Sequence, residues 1–101
     1  MRELIDKVQE LVVFELNRAN TIHPPKFNSM HEAYAVILEE FEEAKDDLES
    51  AEWTLREIWF ETKANRCKDD IDVDIEELER RATLGAAEMI QVAAMCRKAR
   101  L

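Results

Sequence analysis

The sequence predicts an all-α protein, a long helical hairpin preceded by a shorter N-terminal helix, in one domain over residues 1–101. Three observations lead there. The chain has one Gly and two Pro, a composition suited to long helices with few turns. Apolar residues recur at three- and four-residue spacing over most of its length, the period of a helix with one buried face. Its 37% charged and 47% hydrophobic residues are interleaved at that period, which excludes a disordered chain.

The first helix runs from about Glu3 to Arg18, with Leu4, Ile5, Val8, Leu11, Val12 and Leu16 at helical spacing. The stretch "NTIHPPKFNS" then breaks the pattern, because Pro24 and Pro25 lack backbone donors and force extended geometry on the residues before them. A second helix begins near Ser29, where "SMHE" reads as a capping box: Ser29 is the N-cap and Glu32 reaches back from the third helical position. Neither Pro nor Gly follows until Gly85, so this helix continues to Ala64 or Asn65, about 50 Å at 1.5 Å per residue. Its apolar stripe is Tyr34, Ile37, Leu38, Phe41, Leu48, Leu55 and Trp59.

The segment "NRCKDDIDVD" is a polar turn from which Asp72 or Asp74 can cap the third helix, with Glu76 and Glu77 near its positive end. That helix extends to about Lys98, and Arg97, Lys98 and Arg100 complement its negative end. From Leu84 onward it is apolar on nearly every side, whereas a surface helix needs only one stripe. Two further helices cannot easily cover it all round, and Ala86, Ala87, Ala93 and Ala94 permit close helix approach. The expectation is a homo-oligomer, dimer or tetramer, with this helix in a shared bundle core.

The formal net charge of −9 repels phosphate backbones and anionic lipid, so neither nucleic acid nor membrane is an expected partner. No stretch approaches the roughly 18–20 apolar residues of a membrane span. The first residues, "MRELIDKVQELVVFEL", mix charges at helical spacing, unlike a signal peptide. Cys67 and Cys96 form no CxxC pair and have no metal-ligand spacing with His23 or His31. Free thiols and a cytoplasmic location are expected. No Ser–His–Asp or Cys–His nucleophile, P-loop or dinucleotide fingerprint is present.

The chemistry-bearing residues are carboxylates. Acidic residues on a long helix ordinarily form a solvated face with i,i+4 pairs, and Glu39, Glu42, Asp46, Glu49, Glu57 and Glu61 suit that role, Glu39 lying further round toward solvent than Glu43. Glu40, Glu43 and Asp47 instead lie within about 60° of one another and flank the apolar stripe. On the third helix Glu88 and Gln91 are the strongly polar residues of "LGAAEMIQVAAMC". Burying a lone carboxylate costs several kcal/mol unless it is paired or binds a metal. If the two helices run antiparallel, these groups meet in one crevice. Clustered carboxylates repel unless they are protonated or bridged by a cation, and Mg²⁺, which prefers oxygen ligands, fits best.

The stretches "LEEFEEA" and "AAEMIQVAAM" resemble the MazG-like, all-α nucleoside triphosphate pyrophosphohydrolases, in particular their small phage or prophage members. The resemblance covers roughly residues 27–95. The family pattern is EExxE on one helix and ExxD on a later one. Glu39, Glu40 and Glu43 match the first motif, Glu88 matches the Glu of the second, and Gln91 stands where Asp is expected. The spacer from Glu43 to Glu88 is longer than is usual in the family. The resemblance implies Mg²⁺, with Mn²⁺ as a substitute, held by Glu39, Glu40, Glu43, Glu88 and Gln91. It implies Glu40 and Glu43 as catalytic groups, and attack by water on a nucleoside triphosphate to release monophosphate and pyrophosphate.

For substrate binding, His31 at the start of the second helix could meet a phosphate, Lys26 lies in the Pro-containing loop, and Trp53 could stack a base. Trp53, Trp59 and Phe60 at helical spacing more often serve core or dimer contacts than base stacking. A second class of function, a catalytically silent helical protein working through its bundle surface, is compatible with the uncharged Gln91.

Overall fold

Three helices make up the regular structure of the computed structural model, which describes residues 1–101: α1 Arg2–Asn20, α2 Met30–Lys63 and α3 Lys68–Ala99. The two long helices, α2 and α3, pack as a hairpin preceded by α1, as the sequence predicts.

Local chemistry sets the ends. The Thr21 hydroxyl donates to the Arg18 carbonyl (2.6 Å) as α1 closes, and the Pro-containing segment follows. At the start of α2 the Glu32 N–H donates to Ser29 Oγ (3.1 Å), which is the expected cap. The reciprocal arm differs from expectation: the Glu32 carboxylate accepts from the Asn28 backbone N–H (3.3 Å) and side-chain amide (3.1 Å), one residue further back. At the far end of α2, Asn65 takes a left-handed conformation (φ 56°). Its N–H donates to the Thr62 carbonyl (3.1 Å) and the Arg66 N–H to that of Glu61 (3.0 Å), the pair of bonds that defines a Schellman stop.

This stop reverses the chain in so few residues that α3 begins at Lys68, not at Asp72 or Asp74. Those acids lie inside the helix. Asp72 takes an ion pair from Lys68 (2.6 Å), and Asp69 and Asp70 occupy the positive first turn.

The chain divides into two compact units, Met1–Glu42 with Ala87–Leu101, and Glu43–Ala86. In the first, Val12 and Ala19 of α1 meet Ala94 and Met95 of α3, with Leu16, Phe27, Val36, Ile37 and Ile90 packed around them. Small side chains let these helices approach closely, and Ala33 and Ala94 have no exposed surface. Lys98 is buried, with its ammonium over the Phe27 ring at 4.6 Å. The apolar end of α3 is therefore covered by α1 and α2 more fully than its composition suggests. Beyond residue 83, only Leu84 and Met89 of its large apolar side chains are exposed within the helix.

In the second unit the inward residues of α2 are Ala44, Asp47, Ala51, Thr54, Ile58 and Glu61, and those of α3 are Ile71, Asp74, Leu78, Arg81 and Gly85. Their spacing alternates between three and four, as in a coiled-coil seam, but small and polar side chains dominate it. Arg81 pairs with Asp47 (3.6 Å) and Glu77 (3.0 Å). Glu61, expected to pair with a nearby cation, instead shares a hydrogen bond with the Asp74 carboxyl, which raises its pKa, and burial and the Asp74 charge push the same way.

The seam corrects the apolar stripe read from the sequence. Tyr34, Leu38, Phe41, Leu48, Leu55 and Trp59 are all exposed, and of that stripe only Ile37 joins the core. The hairpin closes on the adjacent face because Ala, Ser and Thr there let the helices approach. Likewise Leu4, Ile5, Val8 and Leu11 of α1 are exposed while Val12 is buried.

Candidate functional site

The carboxylates arrive at one place through helix geometry. Glu40 is one turn before Glu43 on α2, so the two share a face. Glu40 lies on the same side as Ala33, Val36 and Ile37, which face the core of the first unit. On α3 Glu88 precedes the buried Val92 and Met95 by four and seven residues, so the packing that buries them turns Glu88 inward too. One carboxylate oxygen from each of Glu40, Glu43 and Glu88 lies within 4.8 Å of the others. Glu40 and Glu88 are half-buried and Glu43 is exposed. The group therefore has two inner ligands and one at the solvent edge, and it could hold a metal ion.

Gln91 completes the inner side. The amide atom that faces the cluster is 2.9 Å from Glu88 Oε2 and 2.8 Å from Glu40 Oε2. As nitrogen it donates to both carboxylates, and both ends of the amide are then satisfied. With the amide turned over, the nitrogen instead faces Glu15 Oε1 at 3.5 Å, and three oxygens converge. Which end faces the cluster is set by the hydrogen-bond network.

Glu15 and Arg18 of α1 border the cluster and were not singled out by sequence. Glu15 accepts two hydrogen bonds from the Arg18 guanidinium (2.6 and 2.9 Å), and its side chain is only 14% exposed. Those bonds hold its carboxyl below the usual range against the opposing effect of burial. Glu15 in turn raises the Arg18 pKa, to which the Glu40 charge also contributes. A signal was present: Glu15 is three residues after Val12 and four before Ala19, the spacing of the buried face of α1.

The remaining sequence-predicted residues are not part of this group. Glu39 is exposed and lies outside it. Lys26, in the segment between α1 and α2, and His31, at the start of α2, are exposed. Trp53 is 65% exposed, with the Arg56 guanidinium 5.3 Å from its ring centre. Cys67 and Cys96 are free thiols. No helix is long and apolar enough to cross a membrane.

Compared with known proteins, the chain matches no family model, no curated protein and no solved structure.

Proposed function

We propose that Glu40, Glu43 and Glu88 hold a divalent cation, Mg²⁺ with Mn²⁺ as a substitute, and that the chain hydrolyses a nucleoside triphosphate to its monophosphate and pyrophosphate. The observation that carries this reading is the convergence of three carboxylate oxygens within 4.8 Å. The EExxE-like and ExxD-like spacings, which resemble the MazG-like pyrophosphohydrolases, supply the reaction class.

Glu40 and Glu88 are the inner ligands and Glu43 the outer one, placed where a solvent-borne phosphate would approach. Gln91, turned oxygen-inward, adds a neutral ligand. Glu39 is left at the solvent edge, away from the ligand set. When bound, the ion would neutralise phosphate charge and lower the pKa of a water beside it. That neutralisation matters in a chain of net charge −9, which otherwise repels a triphosphate.

The test is pyrophosphate release from the common ribo- and deoxyribonucleoside triphosphates in Mg²⁺, in parallel with calorimetric Mg²⁺ and Mn²⁺ binding. Hydrolysis lost in Glu43→Gln is the expected result. Metal binding without hydrolysis of any nucleotide would defeat the enzymatic reading, and absence of both would defeat the site. The second reading, a silent helical protein acting through its surface, draws on Gln91 in place of a carboxylate and on the exposed apolar side chains of α1 and α2.

A further inference from the structure

The geometry points to an antiparallel pairing of α2 with α2 of a second copy of this chain, centred on Leu48. The chain exposes 7835 Å², whereas a compact monomer of 11.8 kDa exposes about 5,900 Å². A stable interface removes about 800 Å² from each partner, so the excess is more than enough for one. Apolar side chains make up much of it: Phe41 (48%), Leu48 (67%), Leu55 (54%) and Trp59 (60%) are exposed on one face of α2.

Their positions continue a heptad-like seam, Phe41, Lys45, Leu48, Glu52, Leu55, Trp59, with steps of four, three, four, three and four residues. The hairpin does not use this face, since its own seam lies on the Ala44, Asp47, Ala51 side. Read in reverse about Leu48, the series nearly repeats itself. In an antiparallel pair Leu48 meets Leu48 of the second copy, Phe41 meets its Leu55, and Lys45 lies opposite its Ala51, one residue from its Glu52 and near enough for the two charges to attract. By two-fold symmetry each unlike pair occurs twice.

A parallel pair would set Lys45 on Lys45 and Glu52 on Glu52. The two charges inside the apolar series thus select one orientation and reject the other, as polar residues in coiled-coil seams do. Three features of the chain favour a second copy as the occupant: the surplus area, the self-complementary order of apolar side chains, and the charge signs. This surface differs from the one expected from composition, which was the apolar end of α3.

Sedimentation equilibrium on the intact chain tests the inference, with helicity followed by circular dichroism. Wild type should be a dimer, or an even-numbered assembly, at micromolar concentration. Leu48→Glu places like charges on the two-fold axis, and should weaken association more than a hundredfold while helicity is kept. Lys45→Glu and Glu52→Lys should each weaken it roughly tenfold, because each turns two attractive pairs repulsive. The first makes the chain more acidic and the second less, so a general charge effect would move them in opposite directions. The double variant should return to within about threefold of wild type.

In Trp53→Phe, Trp59 is the sole tryptophan, and its emission should shift to the blue as concentration rises. That measurement keeps the inference testable should Leu48→Glu not fold. A wild-type monomer at ten micromolar with Trp59 fully quenched by acrylamide would overturn the inference, leaving the face to a different partner. Failure of the double variant to regain affinity would overturn the antiparallel pairing.

Discussion

Glu88→Gln should stabilise the protein without metal and reverse that order when Mg²⁺ is added. In wild type Glu88 shares a site with two other carboxylates, with oxygens no more than 4.8 Å apart. At that separation one pair repels by about 1 kcal/mol in water and about 3.5 kcal/mol at an effective dielectric of 20. Two members are half-buried and one exposed, so screening holds each term near the lower figure. Glu88→Gln removes two of the three pairs and keeps a carbonyl oxygen to accept from Gln91, whose facing amide atom lies 2.9 Å from Glu88 Oε2. The metal-free variant should therefore gain about 1–2 kcal/mol, roughly 5–15 °C in Tm for a domain of this size.

Magnesium at a hundredfold excess over its Kd would add about 2.7 kcal/mol to wild type and little to the variant. Thermal melts of both proteins, followed by circular dichroism in chelator and in Mg²⁺, read both effects. A metal-free variant less stable than wild type would show that the carboxylates do not repel as their spacing demands. An equal Mg²⁺ shift in both proteins would place the ion elsewhere.

Other outcomes follow from particular residues. Gln91→Asp adds charge where the amide now stands 2.8 Å from Glu40. Calorimetry should show Mg²⁺ binding about tenfold tighter, equivalent to roughly 1.4 kcal/mol, and the metal-free protein should melt lower; no change in either would mean that Gln91 does not face the ion. Glu77 has its carboxyl pulled down to about 2, first by the hydrogen bond from Arg80 and then by Arg81. Its contribution is present above the ordinary carboxylate pKa and is lost as pH falls through about 2, so Glu77→Gln should flatten the acid arm of urea-unfolding stability against pH. Glu61 is shifted the opposite way by Asp74. Its contribution is present below the ordinary carboxylate pKa and is lost as pH rises through the raised value, so Glu61→Gln should be more stable than wild type at neutral pH. Gly85 lies inside α3, and a methyl group there would sit 3.7 Å from Asp47 Cβ, an ordinary contact. Gly85→Ala should raise stability by about 0.5–1 kcal/mol through helix propensity, whereas a loss by urea unfolding would mean that the hairpin seam cannot accept the methyl.

The three helices and most of their ends are legible in the amino-acid order alone. These are local matters: apolar period, the Ser29 cap, the two prolines, and a segment without helix breakers from Met30 to Asn65. The same order also brought forward Glu40, Glu43, Glu88 and Gln91, because carboxylates and amides at core spacing stand out against apolar neighbours. The start of α3 was legible only to within a few residues. Asp72 and Asp74 are as fit to cap as to lie within a first turn, and the left-handed Asn65 decided between the two.

Tertiary structure alone decided which face of each helix is inside. On α2 the large apolar residues and the small ones form two adjacent stripes, each with the period of a buried face. Periodicity cannot rank them. Helix approach can: Ala33, Ala44 and Ala51 admit a close neighbour, while Phe41, Leu48 and Trp59 hold one away. The hairpin therefore closed on the small stripe and left the large one exposed. The same packing brought Glu15 and Arg18 of α1 beside a cluster built on the other two helices. Such proximity depends on contacts between residues as far apart as Glu15 and Gln91, and no spacing within a single helix encodes it.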